Sequence, residues 1–368
     1  MGVLLISAFC ILTAAVLILQ LPQTRNFMKD EVVNRFNEQY EGTLEIESVE
    51  GFLPLKAEVV NGRIFAPSDS LNPVLSFSRA EATFDWWELL QQNITISSFE
   101  LYEPSIVLNR TGGVFNFGQA VREKEEFRSG SLIETGEPVL ISELNIFAPN
   151  LSIVNGTVQV EESINIPDEF EIRTPFSLTD VNASLFIEIT DSQIFADILN
   201  INALIPDSDY DYLTTSGQFY SDDQFFELNS FRISTGLGEL QFGLEATPVN
   251  LFADNPGEQF RNADITAEFT NSTLSTPFLQ RYLPEYPGFD NDVIFELIVE
   301  GNRDEFFVDR FQAAVGESFL TFSAVGRDLL SDEFSYDLQL ENLVLHPDNY
   351  TFALEPYLPG AELAQYDI

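Results

Sequence analysis

The most constraining feature of this chain is a hydrophobic period of two residues, which recurs along the sequence from Thr43 onwards. In residues 183–190 apolar side chains alternate with polar ones, and residues 240–246 follow the same pattern. Such alternation is typical of a strand with one apolar and one polar face. The runs are bounded by Asn, Gly, Asp and Pro, which favour turns. The sequence therefore predicts an all-β body built as an antiparallel meander.

An internal repeat indicates how these strands are organised. Nine apolar or small residues in the segment 226–246 each match a similar residue 80 positions later, in the segment 306–326. Residues 265–271 then find similar residues at a shorter offset. One copy covers 217–287 and the next covers 297–360. Because each copy is several strands long, stacked copies would form an elongated sheet.

An apolar run at the N-terminus predicts a membrane anchor. Residues 3–21 carry no charged side chain, and as a helix they would span roughly 28 Å, close to the hydrocarbon thickness of a bilayer. A cleavable signal peptide has a shorter apolar core followed by small residues, which Gln20 and Leu21 do not supply. We therefore expect an uncleaved transmembrane anchor over 1–22, with Cys10 as a buried apolar thiol within it.

The segment that follows the anchor predicts an amphipathic helix over 23–42. Its apolar residues recur every four positions from Met28 to Tyr40. Thr24 is the candidate N-cap, and Gly42 is the candidate stop signal.

The composition excludes several classes of function. The net charge is -42, with 59 acidic and 17 basic side chains, so nucleic-acid binding is excluded because it needs clustered Lys and Arg. The chain is nevertheless 45% hydrophobic and contains 34 Phe, which is ample apolar surface for a folded body. Acidity spread along the chain is typical of a solubility device for a salty environment.

Catalytic and metal-binding patterns are poor. His346 is the only histidine, and its context reads as a strand end. Residues 207–211 have a spacing like that of a calcium loop, but Tyr212 stands where that loop needs Gly. The sequence therefore predicts no enzyme, no catalytic residue, no metal site and no cofactor.

The order of motifs near the N-terminus resembles the TamB/AsmA-like family of bacterial envelope proteins. The matching features are the anchor, the amphipathic helix, a Gly-x-Leu-Pro segment, a Trp-Leu-Leu segment and a Gly-x-x-Asn turn. The later Gly-x-Leu-x-Phe-x-Leu-x-Ala strands resemble the repeats of this family. The C-terminal domain of the family is missing, so the chain is expected to be the N-terminal part of a longer protein. The matching stretches are residues 44–54, 85–90, 94–108 and 113–117.

The resemblance implies a single inner-membrane helix followed by a periplasmic, taco-like β-groove with an apolar interior. Family members are similar to bridge-like lipid transfer proteins, which implies phospholipid transport between the inner and outer membranes. An outer-membrane barrel protein of the Omp85 type is the implied partner. The alternative is an assembly or translocation factor that helps to insert outer-membrane β-barrel proteins or autotransporters. The chain then divides into an N-terminal β region (43–216), a first groove repeat (217–287) and a second (288–368).

The orientation of the anchor stays open on charge alone. Arg25, Lys29 and Arg35 follow the apolar run, and the positive-inside rule would place the body in the cytoplasm. Long domains translocate largely regardless of charge, and the resemblance implies a periplasmic body.

The predicted groove would be lined by apolar residues at alternating strand positions. Alternation alone favours the closed core of a sandwich or barrel, as in an anchored adhesin or stalk, whereas the repeat and the resemblance favour the open groove. The candidate lining residues are Leu44, Ile46, Phe77, Phe84, Ile94, Ile96, Ile106, Leu108, Leu185, Ile187, Ile189, Leu240, Phe242, Leu244, Phe295, Leu297, Leu320, Phe322, Leu338 and Leu340.

Overall fold

The protein divides into two compact units, which we describe separately. The first comprises 1–136, 147–187 and 201–206, and the second comprises 137–146, 188–200 and 207–368. The computed structural model describes residues 19–85, 87–88, 96–111, 114–122, 124, 146–161, 176–190, 193–206, 208–251, 256–282, 291–328 and 334–346.

Strands make up most of the described chain, as the alternating pattern predicts. Sixteen strands belong to one sheet, in the order β1-β2-β3-β4-β8-β9-β10-β11-β12-β13-β14-β15-β16-β17-β18, with β5 beside β3 and β8, while β6 pairs only with β7. The strands are β1 (Thr43–Glu50), β2 (Lys56–Ala66), β3 (Asp69–Phe84), β4 (Ile96–Tyr102), β5 (Ser105–Leu108), β6 (Arg110–Thr111), β7 (Val114–Phe115), β8 (Ile146–Val160), β9 (Phe176–Ile189), β10 (Ile194–Leu204), β11 (Tyr212–Ser221), β12 (Phe226–Thr235), β13 (Gly238–Thr247), β14 (Asp264–Leu274), β15 (Val293–Gly301), β16 (Glu305–Val315), β17 (Ser318–Arg327) and β18 (Ser335–Val344).

The expected antiparallel meander is wrong at one point in the first unit. β8 runs parallel to both β4 and β5, whereas the pairs within β1–β3 and within β11–β18 are antiparallel. A parallel pair needs a long crossover, and here residues 109–145 separate β5 from β8. The alternating pattern reports which residues share a face, but it carries no information about the direction of the neighbouring strand.

Four helices complete the described elements. They are α1 (Pro22–Gln39), α2 (Asn116–Ala120), α3 (Pro256–Asn262) and α4 (Thr276–Tyr282). The helix expected after the anchor is α1, but its N-cap is Leu21 rather than Thr24, because Pro22 begins the helix. Phe27 and Val32 of α1 are exposed.

The predicted anchor lies almost entirely outside the described residues, which begin at Leu19. Among the residues that are described, no helix has both the length and the apolar content needed to cross a membrane.

Helix α1 is joined to the outer edge of β1. The Asn37 side chain accepts a hydrogen bond from the backbone N–H of Leu44 at 2.7 Å and donates one to the carbonyl of the same residue at 3.4 Å. The Arg25 guanidinium donates to the carbonyl of Gly51 at 2.7 Å. These side chains occupy backbone groups that an edge strand would otherwise leave open to pairing.

The sequence repeat corresponds to a repeat of strand register. In the hairpin of β12 and β13, Phe231 pairs with Phe242, and the register shifts between Leu228 and Phe231. In the hairpin of β16 and β17, the residues 80 positions later pair in the same way and the register shifts at the same place. The two hairpins therefore share both their alternation and their β-bulge.

Large apolar side chains are seldom deeply buried in the described part of either unit. The largest side chains less than 2% exposed are Val74, Val249, Ser221 and Ser272. A closed sandwich would bury Leu, Ile and Phe fully between its sheets at the density of an organic crystal. The described residues lack such a core.

Candidate functional site

One face of the strands β12–β18 is apolar, and we call it the apolar face. Residues paired across neighbouring strands lie on the same side of a sheet, so the registers identify its members. No paired residue on this face is charged. Its apolar members include Phe226, Leu228, Phe231, Ile233, Leu240, Phe242, Leu244, Ala246, Ile265, Ala267, Phe269, Phe295, Leu297, Val299, Phe306, Val308, Phe311, Ala313, Leu320, Phe322, Ala324, Tyr336, Leu338 and Leu340.

A ladder of phenylalanine rings crosses the apolar face. Successive ring centroids are 4.8–6.5 Å apart. These distances suit offset aromatic contacts, each of which contributes about 0.5–1.5 kcal/mol beyond burial. Because each ring belongs to the next strand, the ladder crosses the strands and does not follow any one of them. Its members are Phe231, Phe242, Phe269, Phe295, Phe311 and Phe322.

The apolar face is open to solvent over part of its area. Most of its side chains are half-buried, and on β18 they are more exposed: Leu338 is 52% and Leu340 is 51% exposed. A contiguous exposed apolar surface of this kind marks an interaction or ligand-binding site, because soluble monomers rarely leave one uncovered.

The opposite face of the same strands carries charges. Arg232 contacts Glu239 at 2.8 Å, and Arg327 contacts both Glu305 at 3.0 Å and Asp337 at 3.1 Å. The guanidinium of Arg232 donates to the Glu239 carboxylate and lowers its pKa below the ordinary value. Charges are thus separated from the apolar face by the thickness of the sheet.

Aromatic rings close one margin of the apolar face, at the ends of strands β12–β14. Phe260 of α3 meets Phe226 edge to face, with ring centroids 4.8 Å apart. Ala246, Val249 and Ala263 are almost fully buried beneath this helix. At the matching end of β16, Phe334 stacks on the Phe306 ring at 6.5 Å.

Comparison with protein-family models, curated proteins and solved structures finds no match for the chain.

The structure brings nine of the predicted lining residues together on the apolar face. They are Leu240, Phe242, Leu244, Phe295, Leu297, Leu320, Phe322, Leu338 and Leu340.

The predicted lining residues of the first unit lie on two faces. Phe77 and Ile106 share one face with Leu44 and Ile46, because successive pairs of opposite residues connect Ile46 to Phe77 and Leu44 to Ile106. Leu108 lies two positions after Ile106. Phe84 pairs with Ile96 on the other face. A single lining surface that includes all of them is therefore wrong for this unit.

The remaining four predicted lining residues are assigned to neither of these two faces. Ile94 lies outside the described residues. Leu185, Ile187 and Ile189 share one side of β9, because they are separated by two positions each, and they are half-buried.

The prediction missed three ring positions of the ladder, namely Phe231, Phe269 and Phe311. Each lies next to a β-bulge, which inserts an extra residue and shifts the alternation by one position. A signal was present in the sequence: the spacing Leu228 to Phe231 breaks the period of two, and the same break recurs 80 residues later.

In the first unit, charged residues lie at the end of strands β1–β4 away from Leu44, Ile64 and Leu75. Glu50, Glu58, Glu81 and Glu100 occupy one row across β1–β4. The Glu81 carboxylate contacts Lys56 Nζ at 2.9 Å and Arg79 Nε at 2.9 Å. Hydrogen bonds to Glu81 and then Glu58 raise the pKa of Lys56, and the hydrogen bond to Glu100 raises the pKa of Tyr102.

Among the described residues, no group of three or more His, Cys, Asp or Glu side chains is placed to hold a metal ion.

Proposed function

We propose that this protein carries phospholipids between the inner and outer membranes on the apolar face of its second unit. The supporting observation is a continuous uncharged surface over seven strands whose large side chains are half-buried rather than enclosed. Each CH₂ of an acyl chain removed from water contributes about 0.8 kcal/mol, so no catalytic group is needed.

The direction of the Phe ladder fits this activity. An acyl chain on the ladder would cross successive strands, so each added strand would lengthen the path. A repeat that preserves register and bulge, as in the two hairpins, extends such a path without changing its chemistry.

The cellular setting belongs to the same proposal and is supported by the family resemblance. It comprises an inner-membrane anchor over residues 3–21, a body in the periplasm, an elongated groove and an outer-membrane barrel of the Omp85 type as partner. The protein is not an enzyme in this proposal.

Photocrosslinking in intact cells tests the lipid proposal on the full chain. A photoreactive benzoylphenylalanine replaces either Phe242 on the apolar face or its neighbour Gln241 on the opposite face. We expect lipid adducts, detected by mass spectrometry, at position 242 and not at 241. Equal labelling of both positions, or no lipid at 242, would contradict the proposal.

A matched pair of substitutions tests transport itself. Phe242→Asp places a charge in the ladder, and we expect it to reduce lipid transfer between donor and acceptor vesicles about tenfold or more. Gln241→Asp adds the same charge on the opposite face and serves as the control. Normal transfer by a folded Phe242→Asp protein would rule out the apolar face as the lipid path.

One observation favours the assembly function as a second candidate. All ten residues of β18 are exposed, and within the described sheet this strand pairs only with β17. An unpaired edge can add an extended segment of an unfolded outer-membrane protein by β-augmentation. This function predicts crosslinks from β18 to polypeptide instead of lipid.

A further inference from the structure

A cavity of about 430 Å³ lies in the first unit, where the charged row meets apolar residues. Residues of both signs line it: Arg79, whose Nε contacts Glu81 at 2.9 Å, and the acidic residues Glu50, Glu58 and Glu103. The Arg79 guanidinium carbon lies 4.1 Å above the Tyr102 ring, which orients the cation within the cavity. A site with one cationic and several anionic groups suits a ligand that carries both charges.

The surface next to this cavity is apolar. Val60 lines the cavity, and the same face continues along the strands to Phe77 and then to the row of Ile64 and Leu75. At the far end, Ile64 and Phe117 of α2 both pack against one small buried cluster. The polar cavity is therefore continuous with an apolar strip that ends beside this cluster.

The length of the strip matches one lipid tail. Four residues separate Val60 from Ile64, which is roughly 13 Å of strand. One leaflet of a bilayer is about 15 Å of hydrocarbon. A chain of that length would reach from the cavity to the α2 end of the strip.

We propose that this cavity is a headgroup site for a zwitterionic amphiphile, namely an ethanolamine phospholipid. The phosphate contacts Arg79, the ammonium lies among Glu50, Glu58 and Glu103, and an acyl chain lies on the strip towards Ile64. Lys56 Nζ already contacts Glu58 at 3.0 Å, but an anionic headgroup lacks the ammonium and meets the carboxylates of Glu50 and Glu103, so it binds more weakly. This inference adds selectivity to the proposed lipid function, on a surface separate from the Phe ladder.

The test uses the full chain reconstituted in vesicles of equal parts phosphatidylethanolamine and phosphatidylglycerol. A photoreactive residue replaces Val60, which lines the cavity, or Val59, which points to the opposite face. We expect lipid adducts at 60 and few at 59, with the ethanolamine lipid favoured about tenfold, the effect of a charge-assisted hydrogen bond.

Paired substitutions identify the groups responsible. Glu50→Gln with Glu103→Gln removes two cavity carboxylates, and we expect the headgroup preference at position 60 to fall to near one. Glu45→Gln with Glu47→Gln changes the charge equally on the opposite face of β1, and the preference is expected to persist. Equal capture of both lipids by the unmodified chain, or an equal effect of the two pairs, would overturn the inference.

The two photocrosslinking experiments also distinguish this inference from the lipid proposal. Adducts at Phe242 without adducts at position 60 would overturn the headgroup site and leave the carrier function standing. Adducts at position 60 without adducts at position 242 would overturn the apolar face as the lipid path and leave the headgroup site standing.

Discussion

At the scale of single residues, glycines make room for the aromatic rings of the sheet. A Cβ atom on Gly326 would collide with the Phe306 ring, and one on Gly62 would collide with the Phe77 ring. Each ring therefore lies across the backbone of a neighbouring strand, where any larger residue would displace it. The glycine and the ring form one packing unit, although they lie on different strands.

Gly326→Val tests this unit, with Gly243→Val as the control. The Gly326 variant must displace the Phe306 ring, so we expect the free energy of unfolding to fall by about 1–3 kcal/mol. Gly243 has only the Leu228 carbonyl nearby, at 3.7 Å, so a β-branched residue there is expected to be neutral or stabilising. Urea unfolding followed by circular dichroism gives both values. If Gly326→Val loses no more stability than Gly243→Val, the Phe306 ring has room to move.

At the scale of elements, the repeated hairpin is the building block of the second unit. The bulge after Leu228 and the bulge after Val308 stand at equivalent positions, and in each hairpin the Phe that follows enters the ladder. The bulge thus decides which residues reach the apolar face. Alternation predicted the strands, but the bulges decided the alignment of the ladder, because an extra residue reverses the side of every residue beyond it.

Exchange of the hairpins tests their equivalence. Replacing residues 305–327 with the sequence of residues 225–247 keeps register, bulge and apolar face, so we expect a folded protein destabilised by about 2 kcal/mol or less. The control uses residues 226–248 in the same place, which shifts the alternation by one and turns the apolar side chains outward. Thermal unfolding is the measurement. A chimera that fails as badly as the shifted control would contradict the equivalence of the two hairpins.

At the scale of the whole molecule, net charge opposes the compact state. With -42 charges on 368 residues, the carboxylates repel one another more strongly in the folded chain than in the expanded one. Several arginines contact carboxylates on the charged face of the second unit, but 17 basic side chains cannot neutralise 59 acidic ones. Dissolved salt supplies the missing screening.

Stability is therefore expected to rise with ionic strength. Between 0.02 M and 0.5 M NaCl the melting temperature should increase by about 5 °C or more, since the screening length falls well below the distance between most charges. Sodium sulfate at matched ionic strength is the control, because it also strengthens apolar burial. A melting temperature that is unchanged in NaCl but rises in sulfate would assign the effect to burial instead of screening.

The sequence by itself determined the strands, the helix after residue 21 and the repeated hairpin, because these follow from local periodicity and from similarity between segments. It also identified Leu240, Phe242 and Leu244 as one face, since no bulge interrupts them. The tertiary structure alone decided that β8 runs parallel to β4. Strand direction and partner choice depend on contacts between residues far apart in the chain, which local periodicity does not report.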